Sequence, residues 1–330
     1  MGLKKDIRAL ELEDLKAVFQ ELGEKQFRAT QVYDWLWNKS VQSFDDMSNL
    51  SLTVRDWLKE QFEIRSVALT EKQQSSDGTI KTAFQLFDTH FVEGVLIPAK
   101  ERMTACISSQ VGCSLSCKFC ATGYMERQRN LEAGEIYDQV VHIKNLAEEN
   151  YSQPLTNIVY MGMGEPLLNY KNVLRSIELI TSEKGLGMSP KRITLSTAGI
   201  AKMIKKLADD GVRFNLALSL HAANDEKRDK IMPINETNKL DALAEALQYF
   251  YANTKNKITL EYIVFNNFND EIQDAKELLT FSRRFPSKIN IIEYNPIKEA
   301  DFENAKEDKI TRFADFLMKN DVNVNVRRSR

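Results

Sequence analysis

The spacing of apolar residues predicts a helical N-terminal part. In LELEDLKAVFQELG, apolar residues recur at helical intervals from Leu12 to Leu22, and Gly23 follows where a helix C-cap glycine is expected. The stretches RATQVYDWLWNK and SLTVRDWLKEQF continue the same pattern. We therefore expect residues 1–62 to form a small helical domain.

The next stretch has the composition of a β-hairpin. VALTEKQQSSDGTIKTAFQLFDTHFVEGVLIP is rich in β-formers, and its Asp77-Gly78 pair is a strong signal for a hairpin turn. Residues 63–99 are therefore expected to form a β-hairpin that connects the helical part to the rest of the chain.

From about residue 100, strand-like segments alternate with helix-like segments. The strand candidates are MTACIS, NIVYMG, RITLST, FNLALSL, ITLEYIVF, INIIEYN and VNVNVR. The helix candidates between them include EIYDQVVHIKNLAEE, NVLRSIELITSEKG, IAKMIKKLADDG and KLDALAEALQYFY. Such alternation predicts an α/β fold of parallel βαβ units, wound either as an open sheet or as a barrel.

Polar residues recur at the ends of these predicted strands. They are Glu165, Ser196, Ser219 with His221, and Asn295. Chemistry in (β/α) barrels is located at the carboxyl ends of the strands, so we expect a functional site at this rim.

Composition narrows the class of protein. The chain has 330 residues, of which 43% are hydrophobic and 28% charged, as in soluble proteins with one large domain or two. The N-terminus lacks a signal-peptide apolar core, and no window has eighteen consecutive apolar residues. We therefore expect a cytoplasmic protein with no membrane partner. The net charge of −2 argues against indiscriminate coating of nucleic acid.

All four cysteines lie within fifteen positions, at Cys106, Cys113, Cys117 and Cys120. In a reducing compartment such clustering indicates metal or redox chemistry. Cys106 could complete a four-ligand zinc site, but zinc ribbons pair two cysteine knuckles across a longer gap, and the sequence has no second knuckle. Cys106 could also complete an ordinary iron–sulfur cluster, but it falls within a predicted strand and not in the loop. A four-iron cluster with three cysteine ligands and one open iron fits the C-x3-C-x2-C spacing better. Four buried structural cysteines are a further alternative.

C-x3-C-x2-C with an aromatic residue, Phe119, before its last cysteine resembles the signature of radical S-adenosylmethionine enzymes. The longer stretches CISSQVGCSLSCKFCATG, GMGEPLLN, TLSTAGI, LALSLHAANDEKRDKIMPIN, EYIVFNNFND and QFRATQVYDWLW resemble the dual-specificity rRNA/tRNA adenine-C2 methyltransferase family, along essentially the whole chain. The resemblance implies a partial (β/α)6 radical S-adenosylmethionine barrel over residues 100–330. Residues 1–62 would then be an N-terminal RNA-binding accessory domain.

The resemblance also implies the cofactors and the residues that hold them. Cys113, Cys117 and Cys120 would bind a [4Fe-4S] cluster, whose open iron binds S-adenosylmethionine. Gly164 allows close approach of the backbone to a ligand, and Glu165 can accept hydrogen bonds from an ammonium group. Further positions that match the family's cofactor contacts are Ser196, Ser219, Leu220, His221 and Asn295.

Two further residues match catalytic positions of the family. Strand alternation places Glu93 on the face of Phe91, Val95 and Ile97, where burial would raise the pKa of its carboxyl. An edge-strand glutamate that reaches solvent is the alternative. The resemblance implies that Glu93 is a proton acceptor and that Cys106 releases the product through a transient disulfide.

The resemblance implies methylation of C2 of adenine in 23S rRNA and in some tRNAs. The implied partners are these RNAs and an electron donor such as flavodoxin, and the chain is expected to be a monomer. A related C8-adenine rRNA methyltransferase of the antibiotic-resistance type shares the cysteine spacing and is one alternative. A non-catalytic iron–sulfur protein that binds RNA is an alternative of another class.

The family carries the transferred methyl group on a second non-cluster cysteine, in a C-terminal segment after a basic stretch like NVRRSR. The sequence ends at Arg330 within that stretch, and all four cysteines already have roles. Two explanations fit: the sequence is a truncated version of a longer protein, which its abrupt ending after a strand favours, or the chain is a natural relative that has lost the methyl-carrying step. The 330-residue form is therefore expected to bind cluster and cofactor without methylating RNA. Nucleoside mass spectrometry, after incubation with reductant, S-adenosylmethionine and unmodified rRNA, tests this. Substantial 2-methyladenosine would show that the carrier assignment is wrong.

Overall fold

The structure is a computed structural model, and it describes residues 4–328. The helices within these residues are α1 (Leu12–Glu21), α2 (Phe27–Trp37), α3 (Leu52–Gln61), α4 (Ala133–Tyr151), α5 (Tyr170–Thr181), α6 (Ala201–Asp209), α7 (Asp225–Ile231), α8 (Leu240–Thr254), α9 (Ile272–Ser282) and α10 (Glu307–Met318). The strands are β1 (Lys5–Asp6), β2 (Phe62–Glu63), β3 (Ala68–Gln74), β4 (Ile80–Gln85), β5 (Phe91–Ala99), β6 (Arg102–Cys106), β7 (Gln110–Val111), β8 (Arg129–Asn130), β9 (Asn157–Tyr160), β10 (Ile193–Thr197), β11 (Asn215–Ser219), β12 (Ile258–Val264), β13 (Lys288–Glu293) and β14 (Val324–Arg327).

The described residues form two compact units. The first unit comprises the chain up to Ser108, Leu131–Asn157 and Tyr170–Ser189, and the second comprises Ser109–Asn130, Ile158–Asn169 and the chain from Pro190 onward. Both units are discontinuous in sequence. The three-part division of the chain at residues 62 and 99 stays a prediction.

The first unit contains the predicted N-terminal helices. Helix α1 begins with a capping box between Glu11 and Asp14, and Gly23 follows its end with a φ of +77°, as a C-terminal glycine should. Trp37 of α2 is buried and contacts the ring of Tyr137 edge-on, with centroids 5.2 Å apart. This packing attaches the N-terminal helices to α4.

The first unit also contains the predicted hairpin, extended into an antiparallel sheet in the order β3–β4–β5–β6. The predicted turn joins β3 to β4, and Gly78 has a φ of +88°. On β5, Val92, Gly94 and Leu96 are buried. A Cβ on Gly94 would lie 2.6 Å from a ring carbon of Phe84, so the buried face of β5 requires glycine there.

The second unit is built on parallel strands in the order β9–β10–β11–β12–β13–β14. All of the strand segments expected after residue 100 form strands. The strand order has an edge at β14, so the sheet is open and the expected partial (β/α)6 barrel is confirmed. In the described part of the chain, we find no helix with the length and apolar character needed to cross a membrane.

Candidate cofactor site and catalytic face

The second unit encloses a cavity of about 340 Å³ at the carboxyl ends of its parallel strands. Most of the predicted cofactor and cluster residues line this cavity. They are Cys113, Cys117, Cys120, Gly164, Glu165, Ser196, Ser219 and His221. The strand-end pattern in the sequence therefore converges on one place.

The three cysteines are held in a compact loop that follows β7. The backbone N–H of Cys120 donates to the carbonyl of Cys117 at 3.3 Å, and the N–H of Gly123 donates to the carbonyl of Cys120 at 2.8 Å. A Cβ on Gly123 would lie only 2.4 Å from the Cys117 carbonyl oxygen. The loop therefore depends on glycine to turn tightly around its ligands.

The three thiols lie around one cavity, which fits an iron–sulfur cluster held by thiolates spread around it. Among residues 4–328, no group of three His, Cys, Asp or Glu side chains is arranged to hold a metal ion. Burial, and then the neighbouring Cys120 and Cys113, raises the pKa of Cys117 to about 12. A raised thiol pKa disfavours the thiolate, which is the form that reacts as a nucleophile and also the form that binds metal.

Glu165 is buried at the wall of the cavity, and its carboxylate is fixed by the backbone. Oε2 accepts the N–H of Ala198 at 2.7 Å, and Oε1 accepts the N–H of Leu167 at 3.0 Å. A carboxylate has about four acceptor sites, so lone pairs remain for a ligand. Burial raises the pKa of this carboxyl. An ammonium group in the cavity would offset that burial by pairing with the charged form.

Gly164 positions Glu165 and cannot be replaced without strain. Its φ of +95° lies in the region that favours glycine, and a Cβ would lie 2.5 Å from Cβ of Gln110. Gln110 in turn accepts the N–H of Glu165 through Oε1 at 2.8 Å and donates through Nε2 to Asn130 at 2.7 Å. Gln110 is a supporting residue that the sequence reading missed.

One ring nitrogen of His221 is hydrogen-bonded to the backbone. Its Nδ1 accepts the N–H of Ile263 at 3.1 Å, and its ring packs edge-on against Phe119 with centroids 4.7 Å apart. Burial, helped by the positive charge of Arg228, lowers the pKa of His221 to about 3. The imidazole is therefore neutral at physiological pH, and its charge contributes nothing to ligand binding.

Of the remaining predicted cofactor residues, Ser196 and Ser219 line the cavity, whereas Leu220 and Asn295 do not. Ser196 and Ser219 face each other on adjacent strands with Oγ atoms 3.4 Å apart, ready to bind a polar ligand. Leu220 is fully buried and is not among the residues that line the cavity, and its backbone N–H donates to the carbonyl of Glu261 at 2.9 Å. Asn295 lies in an exposed irregular segment after β13 and is not among the described residues that line the cavity.

A carboxylate that sequence reasoning missed also lines the cavity. Glu261 lies on β12 directly beside Ser219 of β11, and its Oε1 accepts the side-chain N–H of Asn290 at 2.8 Å. Burial raises its pKa, and the charge of Arg327 opposes that rise. A glutamate inside the apolar strand ITLEYIV was the signal available in the sequence. Arg327 lies within the described part of the basic stretch, whereas Ser329 and Arg330 lie outside it.

The predicted catalytic residues Glu93 and Cys106 lie in the first unit. Cys106 is the last residue of β6, as expected, and it pairs in register with Val95 of β5. Because side chains alternate along a strand, Glu93, Val95 and Cys106 share one face of this sheet. Glu93 and Cys106 are diagonal neighbours there, a relation that typically spans about 7 Å.

The expected burial of Glu93 is wrong. The face that carries Glu93 is the exposed face of β5, because Val92, Gly94 and Leu96 fill the interior. The Glu93 carboxylate is about half exposed and pairs with Lys81 of β4 at 2.7 Å. Ser108 donates its hydroxyl to the Glu93 carbonyl at 2.6 Å, which fixes the backbone. Glu93 is therefore held in position at the surface.

None of the four cysteines, all of which the structure describes, forms a disulfide. A stable disulfide is therefore not a feature of this fold. The transient disulfide assigned to Cys106 would form only during the reaction, and it stays a prediction.

Comparison with known proteins identifies the family. The chain matches the "Ribosomal RNA large subunit methyltransferase N-terminal domain" over residues 5–64 and the "Radical SAM superfamily" over residues 107–279. A Cytophaga hutchinsonii protein named "Probable dual-specificity RNA methyltransferase RlmN" is 62% identical over 327 residues, 99% of this chain and 90% of that protein. The chain belongs to the RlmN family. An identically named Christiangramia forsetii protein is 54% identical over 99% of this chain and 93% of that one.

A solved structure agrees with RlmN membership. The crystal structure of a radical SAM methyltransferase from Sphaerobacter thermophilus matches with a TM-score of 0.93 and 35% identity, over 99% of this chain and 96% of that chain. The predicted resemblance and fold are thus confirmed. Membership of the RlmN family also supports a [4Fe-4S] cluster and S-adenosylmethionine as cofactors, and the three-thiol cavity fits both.

We predict that Cys113, Cys117 and Cys120 bind the cluster and that Cys106 does not. Cys113→Ala, Cys117→Ala and Cys120→Ala should each abolish the brown absorbance of the anaerobically reconstituted protein, because each removes a cluster ligand. Cys106→Ala should keep that absorbance and the iron content. Equal loss in all four variants would make Cys106 a ligand and exclude the three-cysteine assignment.

We also predict that Glu165→Ala weakens S-adenosylmethionine binding by about 1.5–3 kcal/mol, since it removes the acceptor of a charge-assisted hydrogen bond. Equilibrium dialysis on cluster-loaded protein measures this effect. Because burial raises the pKa of Glu165, the affinity of the unmodified protein should also fall on acidification, as the carboxylate is protonated. Glu126→Ala, an exposed substitution, is the control. An unchanged dissociation constant for Glu165→Ala would refute the assignment.

Proposed function

We propose that this protein methylates C2 of a specific adenine in 23S rRNA and in some tRNAs. The observation that carries the proposal is the convergence of three cysteines and Glu165 on one cavity of an RlmN-family chain. Adenine C2 is not nucleophilic, so polar transfer from a sulfonium does not reach it. The cluster supplies the electron that makes radical chemistry with S-adenosylmethionine possible.

The residues of the cavity bind and orient the cofactor. Glu165 accepts hydrogen bonds from its ammonium group, and Gly164 lets the backbone approach closely. The paired hydroxyls of Ser196 and Ser219 offer donors and acceptors to the polar part of the ligand. Asn295 and the backbone of Leu220 and His221 complete the proposed contact set.

The exposed sheet face of the first unit carries the proposed acceptor chemistry. Glu93 accepts the proton that the adenine carbon loses, and the ion pair with Lys81 leaves Oε2 available for it. Cys106, on the same face, would form a transient disulfide with the methyl-carrying cysteine that the family resemblance implies, and the carbon–sulfur bond of that carrier would break to release the product. Exposure of this face is consistent with a macromolecular substrate that must reach Glu93 from outside.

The N-terminal helices are the proposed RNA-binding region. Phe27 is half exposed, and the guanidinium of Arg28 lies 4.9 Å from its ring centroid. The ammonium of Lys39 lies 3.5 Å from the ring centroid of Trp35. Aromatic rings beside cations suit both the bases and the phosphates of RNA. A cytoplasmic location and a flavodoxin-like electron donor complete the proposal.

The proposal predicts that the amount of 2-methyladenosine in cellular RNA depends on this protein. Deleting the gene that encodes this chain should remove 2-methyladenosine from 23S rRNA and tRNA, as measured by nucleoside mass spectrometry. A chromosomal Glu93→Gln variant should lower it strongly, because the amide cannot accept the proton. Glu101→Gln, at an exposed turn beside β6, is the matched control and should leave it unchanged.

Other results would select the alternatives. Loss of 8-methyladenosine would indicate the C8-methyltransferase. Unchanged methylation of both positions would leave a non-catalytic iron–sulfur protein that binds RNA. A normal 2-methyladenosine level in Glu93→Gln would remove Glu93 from the mechanism while the overall function stands.

A further inference from the structure

Arg228 of α7 is a completely buried cation that bonds to two residues of the cavity lining, Ala198 and Ser219. Its guanidinium donates to the carbonyls of Leu220 at 3.1 Å, Ala198 at 2.5 Å and Ser219 at 3.2 Å. A fourth bond, at 2.7 Å, goes to Oδ1 of Asn235. Arg228 thus joins the carboxyl ends of β10 and β11, where the proposed cofactor contacts are made.

All four of these acceptors are neutral oxygens. Burying a cation is costly unless a negative charge compensates it, so the charge of Arg228 needs a counter-charge nearby. Asp225 and Asp229 on its own helix contribute negative charge, but neither bonds to the guanidinium, and each accepts instead from Nδ2 of Asn235 at 2.8 Å. Asp229 also pairs with Lys239 at 2.7 Å. Burial lowers the pKa of Arg228 to about 10, so it remains charged at neutral pH.

The cysteine loop lies against the same helix. The N–H of Lys118 donates to the carbonyl of Ile231, the last residue of α7, at 3.0 Å. Cys117 packs against the core cluster that contains Ile231, Met232 and Ala198. Among the charged neighbours of Arg228, Cys117 has the largest electrostatic interaction with the guanidinium, ahead of Asp225 and Asp229.

We propose that Arg228 is the counter-charge of the iron–sulfur site, where its guanidinium stabilises the reduced cluster and thereby sets the midpoint potential. A cluster bound by three thiolates is anionic, and one-electron reduction adds a further negative charge. A fixed cation beside one thiolate favours the more negative state, because net charge and hydrogen bonding set cluster potentials. The inference rests on the cluster assignment of the proposed function.

The experiment compares Arg228→Met with Arg228→Lys. Both proteins are reconstituted anaerobically and titrated with dithionite, which donates one electron per cluster, while electron paramagnetic resonance measures the reduced fraction. Arg228→Met should favour the oxidised cluster at least tenfold, a midpoint potential about 59 mV more negative. Arg228→Lys keeps the charge but not the planar set of donors, and should stay close to the unmodified protein.

Arg8→Met is the matched control for removal of a buried arginine. Arg8 lies in the first unit and is paired with the carboxylate of Asp138 at 2.8 Å. Its loss should lower the melting temperature, yet leave the midpoint potential unchanged. If the role of Arg228 were purely structural, Arg228→Met would likewise lower the melting temperature and leave the midpoint potential unchanged.

Arg228→Gln provides a second test, because glutamine keeps hydrogen-bond donors at this position but carries no charge. Its midpoint potential should again become more negative. If Arg228→Met fails to load a cluster, the potential of Arg228→Gln is the measurement that tests the inference. An unchanged potential in the loaded Arg228→Met protein, or in Arg228→Gln, would overturn the inference, as would an equal fall in Arg228→Lys. Failure of the unmodified protein to form any cluster would instead contradict the proposed function.

Discussion

The second unit depends on how polar groups are satisfied where buried parallel strands end. Those ends leave backbone N–H and carbonyl groups in the interior, and each needs a partner within the protein. Glu165 accepts the N–H of Ala198, and Arg228 donates to the carbonyl of the same residue. Asn269 donates to the carbonyls of His221 and Ile263 at 2.7 and 2.8 Å. The cofactor cavity is therefore framed by the side chains that terminate the strands.

Most of the cavity lining could be predicted from the sequence, because the order of strands and helices along the chain predicts a parallel sheet. Polar residues that follow consecutive parallel strands must meet at one edge. Glu165, Ser196, Ser219 and His221 did so, together with the cysteine loop. Asn295 also follows a parallel strand, but it lies in an exposed irregular segment and is not among the residues that line the cavity.

The errors came from features that pattern alone does not determine. Alternation along β5 separates two faces without showing which one is buried. Phe91, Val95 and Ile97 made the Glu93 face look like the interior, whereas Gly94, which has no side chain, marks the true interior beside Phe84 and Ile143. The burial of Arg228 was not predicted, because the charged stretch DEKRDKI has the composition of a solvent-exposed helix. Only tertiary packing distinguishes its one buried cation from its neighbours.

The burial of the cysteine loop also governs how the site is assembled. Burial and neighbouring thiols raise the pKa of Cys117 to about 12, and burial raises that of Cys113. Cluster ligands bind as thiolates, so insertion of the cluster releases protons and is favoured by alkaline conditions. Before insertion, the protonated thiols react slowly with oxidants, since the thiolate is the reactive form. The same low-polarity surroundings thus preserve the empty loop and make its maturation dependent on pH.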